Sequence, residues 1–220
     1  TLTLPTLQAN ITQKELVVTG LSANHKVYDR SKTATLVGTP TLDPTVEGVS
    51  LVIDEGGPFG SFSNPGVEDN KPVSVSGLDI DESAKVNYTL TLPTLQANIT
   101  QKELVVTGLS ANHKVFDGNT TATLVGTLTL DGVVPGDEVS LVVTTGGPFG
   151  SFSSAKAENN KPVSVSGLDI DGSAKGKYTL TLPTLQANIT QKELVVTGLS
   201  ANHKVFDGNT TATLVGTLTL

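Results

Sequence analysis

Residues 89–130 read TLTLPTLQANITQKELVVTGLSANHKVFDGNTTATLVGTLTL, and residues 179–220 repeat them without a change. Residues 1–42 are a third copy, altered only at Tyr28, Arg30, Ser31, Lys32 and Pro40. The copies start 88 and then 90 residues apart, and the two-residue difference falls between 43–49 and 131–139. A period this long and this well kept specifies a tandem array of small domains. The expected organisation is 1–10 as the closing strand of a preceding repeat, 11–98 and 99–188 as complete repeats, and 189–220 as the opening of a further one. The sequence thus reads as a slice of a longer array, and its two cut ends are expected to leave strand faces uncovered.

Within a repeat almost every segment is β-like. Thr, Val, Leu and Ile dominate, punctuated at short intervals by Gly, Pro, Asn and Asp. Residues 103–107 (ELVVT) read as a first strand. Ala122, Leu124, Leu128 and Leu130 then alternate with threonines, giving one apolar and one polar face. After the turn at Pro135, Gly136 and Asp137, Val139, Leu141 and Val143 resume the alternation. In 162–171 (PVSVSGLDID) Val163 and Val165 have one parity and Leu168 and Ile170 the other. A bulge or bend at Gly167 would bring both pairs to one core. The best helical candidate, 153–159, is granted one turn.

The junction 92–99 (LPTLQANI) has no Gly, no Ser and no charge run, so it is not a flexible linker. The last strand of one repeat is expected to lead directly into the first strand of the next. The fold class is therefore all-β: tandem immunoglobulin-like β-sandwich repeats joined end to end, with β-grasp-like units as the alternative.

Composition narrows the function. The chain has no Cys, which removes disulfides and thiolate metal sites. Its net charge is −7, without the basic stripe that phosphate neutralisation requires, so nucleic acid is not an expected partner. No apolar run approaches the roughly 20 residues of a membrane-spanning helix, so no membrane insertion is expected.

Lys26, Val27, Tyr28 and Asp29 open a motif that returns as Lys114, Val115, Phe116, Asp117, Gly118, Asn119, Thr120, Thr121 and Ala122. With Phe149, the run 161–168 (KPVSVSGL) and Tyr178, Thr179 and Leu180, these residues resemble the YDG repeat domains of large bacterial surface proteins, including filamentous-haemagglutinin-type adhesins. Phe replaces the motif Tyr at 116 and 206, and Arg30 replaces its Gly, so neither the hydroxyl nor that glycine is expected to be required. The resemblance implies an extracellular or cell-surface setting and a spacer role.

Candidate chemistry is sparse. The cluster Asp117, Gly118 and Asn119 reads as a tight turn. Asp79 and Asp81, with Asp169 and Asp171, lie at alternating strand positions that suit a partly hydrated Ca²⁺ at a domain edge, although the EF-hand set is incomplete. No other cofactor is expected. His25, His113 and His203 are one position in three copies and make no transition-metal site within a repeat. No nucleophile elbow appears, and no enzymatic activity is expected. Phe59 and Phe62, with Phe149 and Phe152, form a possible interaction surface that would stack on a sugar or a neighbouring chain; scarcity of aromatics places at least one ring of each pair in the core. Nothing in the sequence marks the buried Lys, Asn and acid of an isopeptide crosslink. The expected function is a stiff spacer or fibre body. The alternatives are a repeated binding module for glycans or host proteins acting by avidity, or a self-associating filament. The expected partners are the neighbouring repeats and other copies of the chain.

Overall fold

The computed structural model describes residues 4–220. In the first repeat the strands are β1 (Lys14–Ala23), β2 (Lys26–Val27), β3 (Thr33–Ala34), β4 (Leu36–Asp43), β5 (Leu51–Ile53), β6 (Phe59–Phe62), β7 (Glu68–Ser76), β8 (Leu78–Ile80), β9 (Tyr88–Thr91) and β10 (Thr94–Thr100). They form a three-stranded sheet β4-β1-β9, a five-stranded sheet β2-β10-β7-β6-β3 and the pair β5-β8. Each larger sheet carries one parallel pairing, β1 with β9 and β10 with β2. The second repeat reproduces the set as β11 (Lys102–Ala111), β12 (Lys114–Val115), β13 (Thr121–Ala122), β14 (Leu124–Asp131), β15 (Ser140–Val143), β16 (Phe149–Phe152), β17 (Glu158–Ser166), β18 (Leu168–Asp171), β19 (Tyr178–Thr181) and β20 (Thr184–Thr190). Strands β21 (Thr197–Ala201) and β22 (Leu214–Thr219) pair with each other. Among the described residues no helix is long and apolar enough to cross a membrane.

The all-β expectation holds, and several local readings are refined. Residues 33–43 alternate as one strand would, but they divide into β3 and β4, which belong to different sheets. Gly77, the counterpart of Gly167, is likewise a crossover between sheets and not a bulge within one strand. It has φ +74° and passes the chain from β7 to β8, which lets Val75, Leu78 and Ile80 enter one cluster despite their opposite parity. A side chain there would meet Phe59 Cδ2 at 2.8 Å. Residues 153–159 form no helix; the two 3₁₀ turns lie at Ala84–Val86 and Lys175–Lys177.

Packing groups the strands differently from the sequence period. One compact unit comprises Thr1–Val106, Thr129–Val142 and Asp169–Thr181; the other comprises Thr107–Leu128, Val143–Leu168 and Leu182–Leu220. The first holds two clusters. One is internal to the first repeat and includes Leu16, Val18, Leu42, Val75, Leu78 and Ile80. The other joins Tyr28, Phe62 and Val73 of the first repeat, with Ile99 at the boundary, to Leu104, Val134, Ile170 and Tyr178 of the second. The second unit is built on the sheet β12-β20-β17-β16-β13, with Phe152, Val163 and Ile189 at its core.

The ends follow from the repeat. Residues 4–13 and 191–220 are exposed, and 4–13 carry no strand. Residues 1–3 of the expected closing strand 1–10 lie outside the described residues. Leu104, centred in a sheet between β14 and β19, is fully buried, whereas its counterpart Leu194 is 70% exposed.

Candidate functional site

The boundary between the repeats is nearly loopless. Strand β10 ends at Thr100 and β11 starts at Lys102. The one residue between them, Gln101, donates its side-chain amide to the Gly176 and Tyr178 carbonyls at 3.0 and 3.2 Å. Strand β2 lies parallel to the end of β10, and Tyr28 continues that pairing by donating its N–H to the Thr100 carbonyl at 2.9 Å. The Tyr28 ring is thereby held at the boundary, 1% exposed, edge-on to Tyr178 with ring centroids 5.7 Å apart and planes at 84°.

Between the two hydroxyls lies one carboxylate. Tyr178 Oη donates to Asp137 Oδ2 at 2.7 Å, and Tyr28 Oη donates to Oδ1 at 3.2 Å. Arg30 Nε is 3.4 Å from Oδ1 and Lys177 Nζ is 4.0 Å from it. The Asp137 side chain is 4% exposed. A turn presents it: Asp137 N–H donates to the Val134 carbonyl at 3.1 Å, Val134 N–H donates to Tyr178 Oη at 3.0 Å, and Arg30 Nη1 donates to the Pro135 carbonyl at 2.9 Å. Lys177 Nζ also sits 5.1 Å from the centroid of the Tyr28 ring, a cation–π distance.

Burial alone would push the Asp137 carboxyl up. The Tyr178 and Tyr28 hydroxyls, then the charges of Lys177 and Arg30, outweigh burial and hold it below its ordinary 3.8. Tyr178 is pushed up to about 12, by burial first and by its bond to Asp137 second. Tyr28 moves in the same direction, again chiefly through burial. A buried charge of this kind is costly unless paired and hydrogen-bonded, and its partners here come from both repeats. The chemistry this arrangement performs is fastening.

Residues 12–97, and again 100–187, match the YDG domain. The chain belongs to the YDG domain family. No curated protein and no solved structure matches it.

The YDG signature can now be placed residue by residue. Tyr28 is the boundary ring. Asp29 accepts the Ser31 N–H at 2.9 Å and Lys26 Nζ at 2.6 Å, and Asp117 accepts the Asn119 N–H at 3.1 Å and Lys114 Nζ at 2.7 Å. Both act as turn formers. Arg30 has φ +66° where Gly118 has +83°, so the signature Gly occupies a left-handed position that Arg30 tolerates while reaching Asp137.

The sequence-predicted site residues separate. Phe62 and Phe152 are buried, while Phe59 and Phe149 are 48% and 50% exposed, so neither pair forms a two-ring surface platform. Asp79 pairs with Lys85 at 2.7 Å and Asp169 with Lys175 at 3.0 Å; Asp81 accepts the Ser50 N–H and Asp171 the Gly172 N–H. The described residues contain no group of three or more His, Asp or Glu side chains placed to hold a metal. His25 and His113 accept the Asn98 and Asn188 N–H groups at Nδ1, at 2.7 and 2.8 Å, tying the start of each motif to the closing strand.

Two buried ammonium groups escaped the sequence reading. Lys71 Nζ is enclosed by Asn64 Oδ1 at 2.6 Å, the Gly66 carbonyl at 2.6 Å and Glu68 at 3.2 Å. Lys161 is enclosed by Ser154 Oγ at 2.6 Å, the Lys156 carbonyl at 2.7 Å and Glu158 at 3.2 Å. In the first repeat this gathers the Lys, Asn and acid that the sequence did not mark. Ser154 replaces Asn64 in the second with the cage intact, so the shared role is to fold the loop 153–159, or its counterpart, around a lysine.

Proposed function

We propose that this chain is a stiff spacer or fibre-body segment of a bacterial surface or secreted protein, built from immunoglobulin-like sandwiches stacked end to end. The observation that carries the reading is the core shared across the repeat boundary, with Val73 and Leu104 in one cluster and only Gln101 between strands β10 and β11. A boundary made of two consecutive strands and a common core resists bending, because bending exposes apolar area and unpairs Asp137. Membership of the YDG family, a tandem period and a Thr-rich acidic surface support an extracellular setting. The parallel pairing of the first strand, β1, with the late strand β9 supports the immunoglobulin-like form of the sandwich. Electron microscopy of the native assembly tests the proposal: straight, evenly beaded rods are expected, and flexible strings of separated beads would refute it.

A second reading is favoured by one recurrence. Phe59 and Phe149 occupy the same place in two repeats and are half-exposed in both. A repeated single ring suits glycan or protein binding by avidity. A glycan panel probed with the chain and with the Phe59→Ala/Phe149→Ala variant separates the readings; signal lost in the variant would establish the binding module.

A further inference from the structure

The first two motif ends of the chain carry different chemistry, and so do the two opening turns. The first motif end has Tyr28 and Arg30, and it meets an opening turn that carries Asp137 with Lys177 nearby. The second motif end has Phe116 and Gly118 in those places, with no hydroxyl and no guanidinium. In the first repeat the opening turn closes in the same way, Val49 N–H to the Val46 carbonyl at 3.2 Å, but the connection that carries it is two residues shorter and the turn ends on Val49 where the other ends on Asp137. Asn87 stands there in place of Lys177, and Glu47, exposed, in place of Pro135. Every charged member of the Asp137 cluster is thus missing from the alternative set.

Phe116 is 41% exposed where Tyr28 is buried, and it lines a groove of about 490 Å³ with Lys156, Ala157, Gln191, Lys192 and Leu194. Four of these are the counterparts of Tyr28, Val67, Lys102 and Leu104. Of those four, Tyr28, Val67 and Leu104 pack in the cluster that spans the first boundary. The groove is therefore the same surface as the one that receives the Val134 turn, without the Tyr28 hydroxyl and the Arg30 guanidinium and with Lys156 where that surface has Gly66.

We propose that the boundary residues form a pairing code between YDG repeats, and that the Phe116 groove takes a repeat whose opening turn is the short, apolar type of residues 46–49. The inference rests on repeats packing end on end. A turn of the Asp137 type would bring its carboxylate against the Phe116 ring; it would keep Tyr178 and Lys177 of its own repeat but lose the Tyr28 hydroxyl and the Arg30 guanidinium, and a buried carboxylate with half its partners gone is disfavoured. The short turn brings Val49 to that place and Glu47 to the rim, which carries Lys156 and Lys192.

The test extends the full chain at Leu220, because 179–220 is already the opening of a third repeat. One extension adds a copy of residues 43–100 and the other a copy of residues 131–190. Hydrogen exchange at 115–118 and 192–196 reads the closure of the new boundary. The 43–100 extension is expected to slow exchange there at least about tenfold more than the 131–190 extension. Phe116→Tyr with Gly118→Arg is expected to reverse that order, since Arg30 shows that the backbone accepts arginine at this φ. Equal protection in the two extensions, with no reversal in the double variant, overturns the code and leaves end-on packing standing. No protection in either extension overturns both.

Discussion

Tyr28, just past β2 in one repeat, and Tyr178, at the start of β19 in the next, donate their hydroxyls to the two oxygens of a single carboxylate, Asp137. The contact joins the motif end of one repeat to the opening and closing parts of the next. It makes the boundary the part of the molecule most open to test by substitution.

Asp137→Ala leaves two tyrosine hydroxyls and the Lys177 ammonium without their shared acceptor. The expected loss is about 2–4 kcal/mol in chemical denaturation. Arg30→Gly is expected to cost less than about 1 kcal/mol, because the guanidinium is half-exposed and glycine relieves the positive φ. Equal losses from the two changes would contradict the geometry.

The same cluster sets a dependence on pH. Asp137 is held below 3.8 in the folded chain, so its contribution is present above that value and is lost as pH falls through the depressed folded pKa. Tyr178 is raised from 10.0 to about 12, so its contribution is present below 10.0 and is lost as pH rises toward about 12. Denaturation midpoints should fall at both extremes. Asp137→Asn should remove Asp137's share of the acid limb, and a variant whose acid limb matches that of the parent chain would contradict the assignment.

Gly77→Val places a branched side chain at φ +74° against the Phe59 ring. The crossover between sheets would strain, with an expected loss of about 1–3 kcal/mol. Gly167→Val should behave alike, since its counterpart contact is Phe149 Cδ2 at 2.9 Å. A variant melting with the parent chain would show that neither glycine is constrained.

Much of this was legible in the sequence, and the rest was not for physical reasons. The period and the β-rich pattern are local or repetitive signals, whereas the junction read at 92–99 falls largely within strand β10 and the loopless step lies at Gln101. The turn role of Asp117 follows from its own neighbours. Asp137 does not: in the sequence it is one polar residue in a Pro-Gly turn, and only long-range packing surrounds it with Tyr28, Arg30, Tyr178 and Lys177. The change between Tyr28 and Phe116 looks like a relaxed requirement until the opposing turn is seen to change with it. Residues 153–159 suggest a helical turn because nothing local announces that the loop encloses Lys161. The parity break at Gly167 is visible, but a bulge and a crossover share it, and strand pairing decides between them.

The repeat boundary is built as a packed core and not as a hinge. The chain has no Cys, so Thr89→Cys with Thr179→Cys places spin labels at exposed, equivalent strand positions in consecutive repeats. Double electron–electron resonance on that variant should give one narrow distance distribution, and Asp137→Ala should broaden it. A distribution already broad or bimodal with Asp137 intact would show that the repeats are hinged at Gln101.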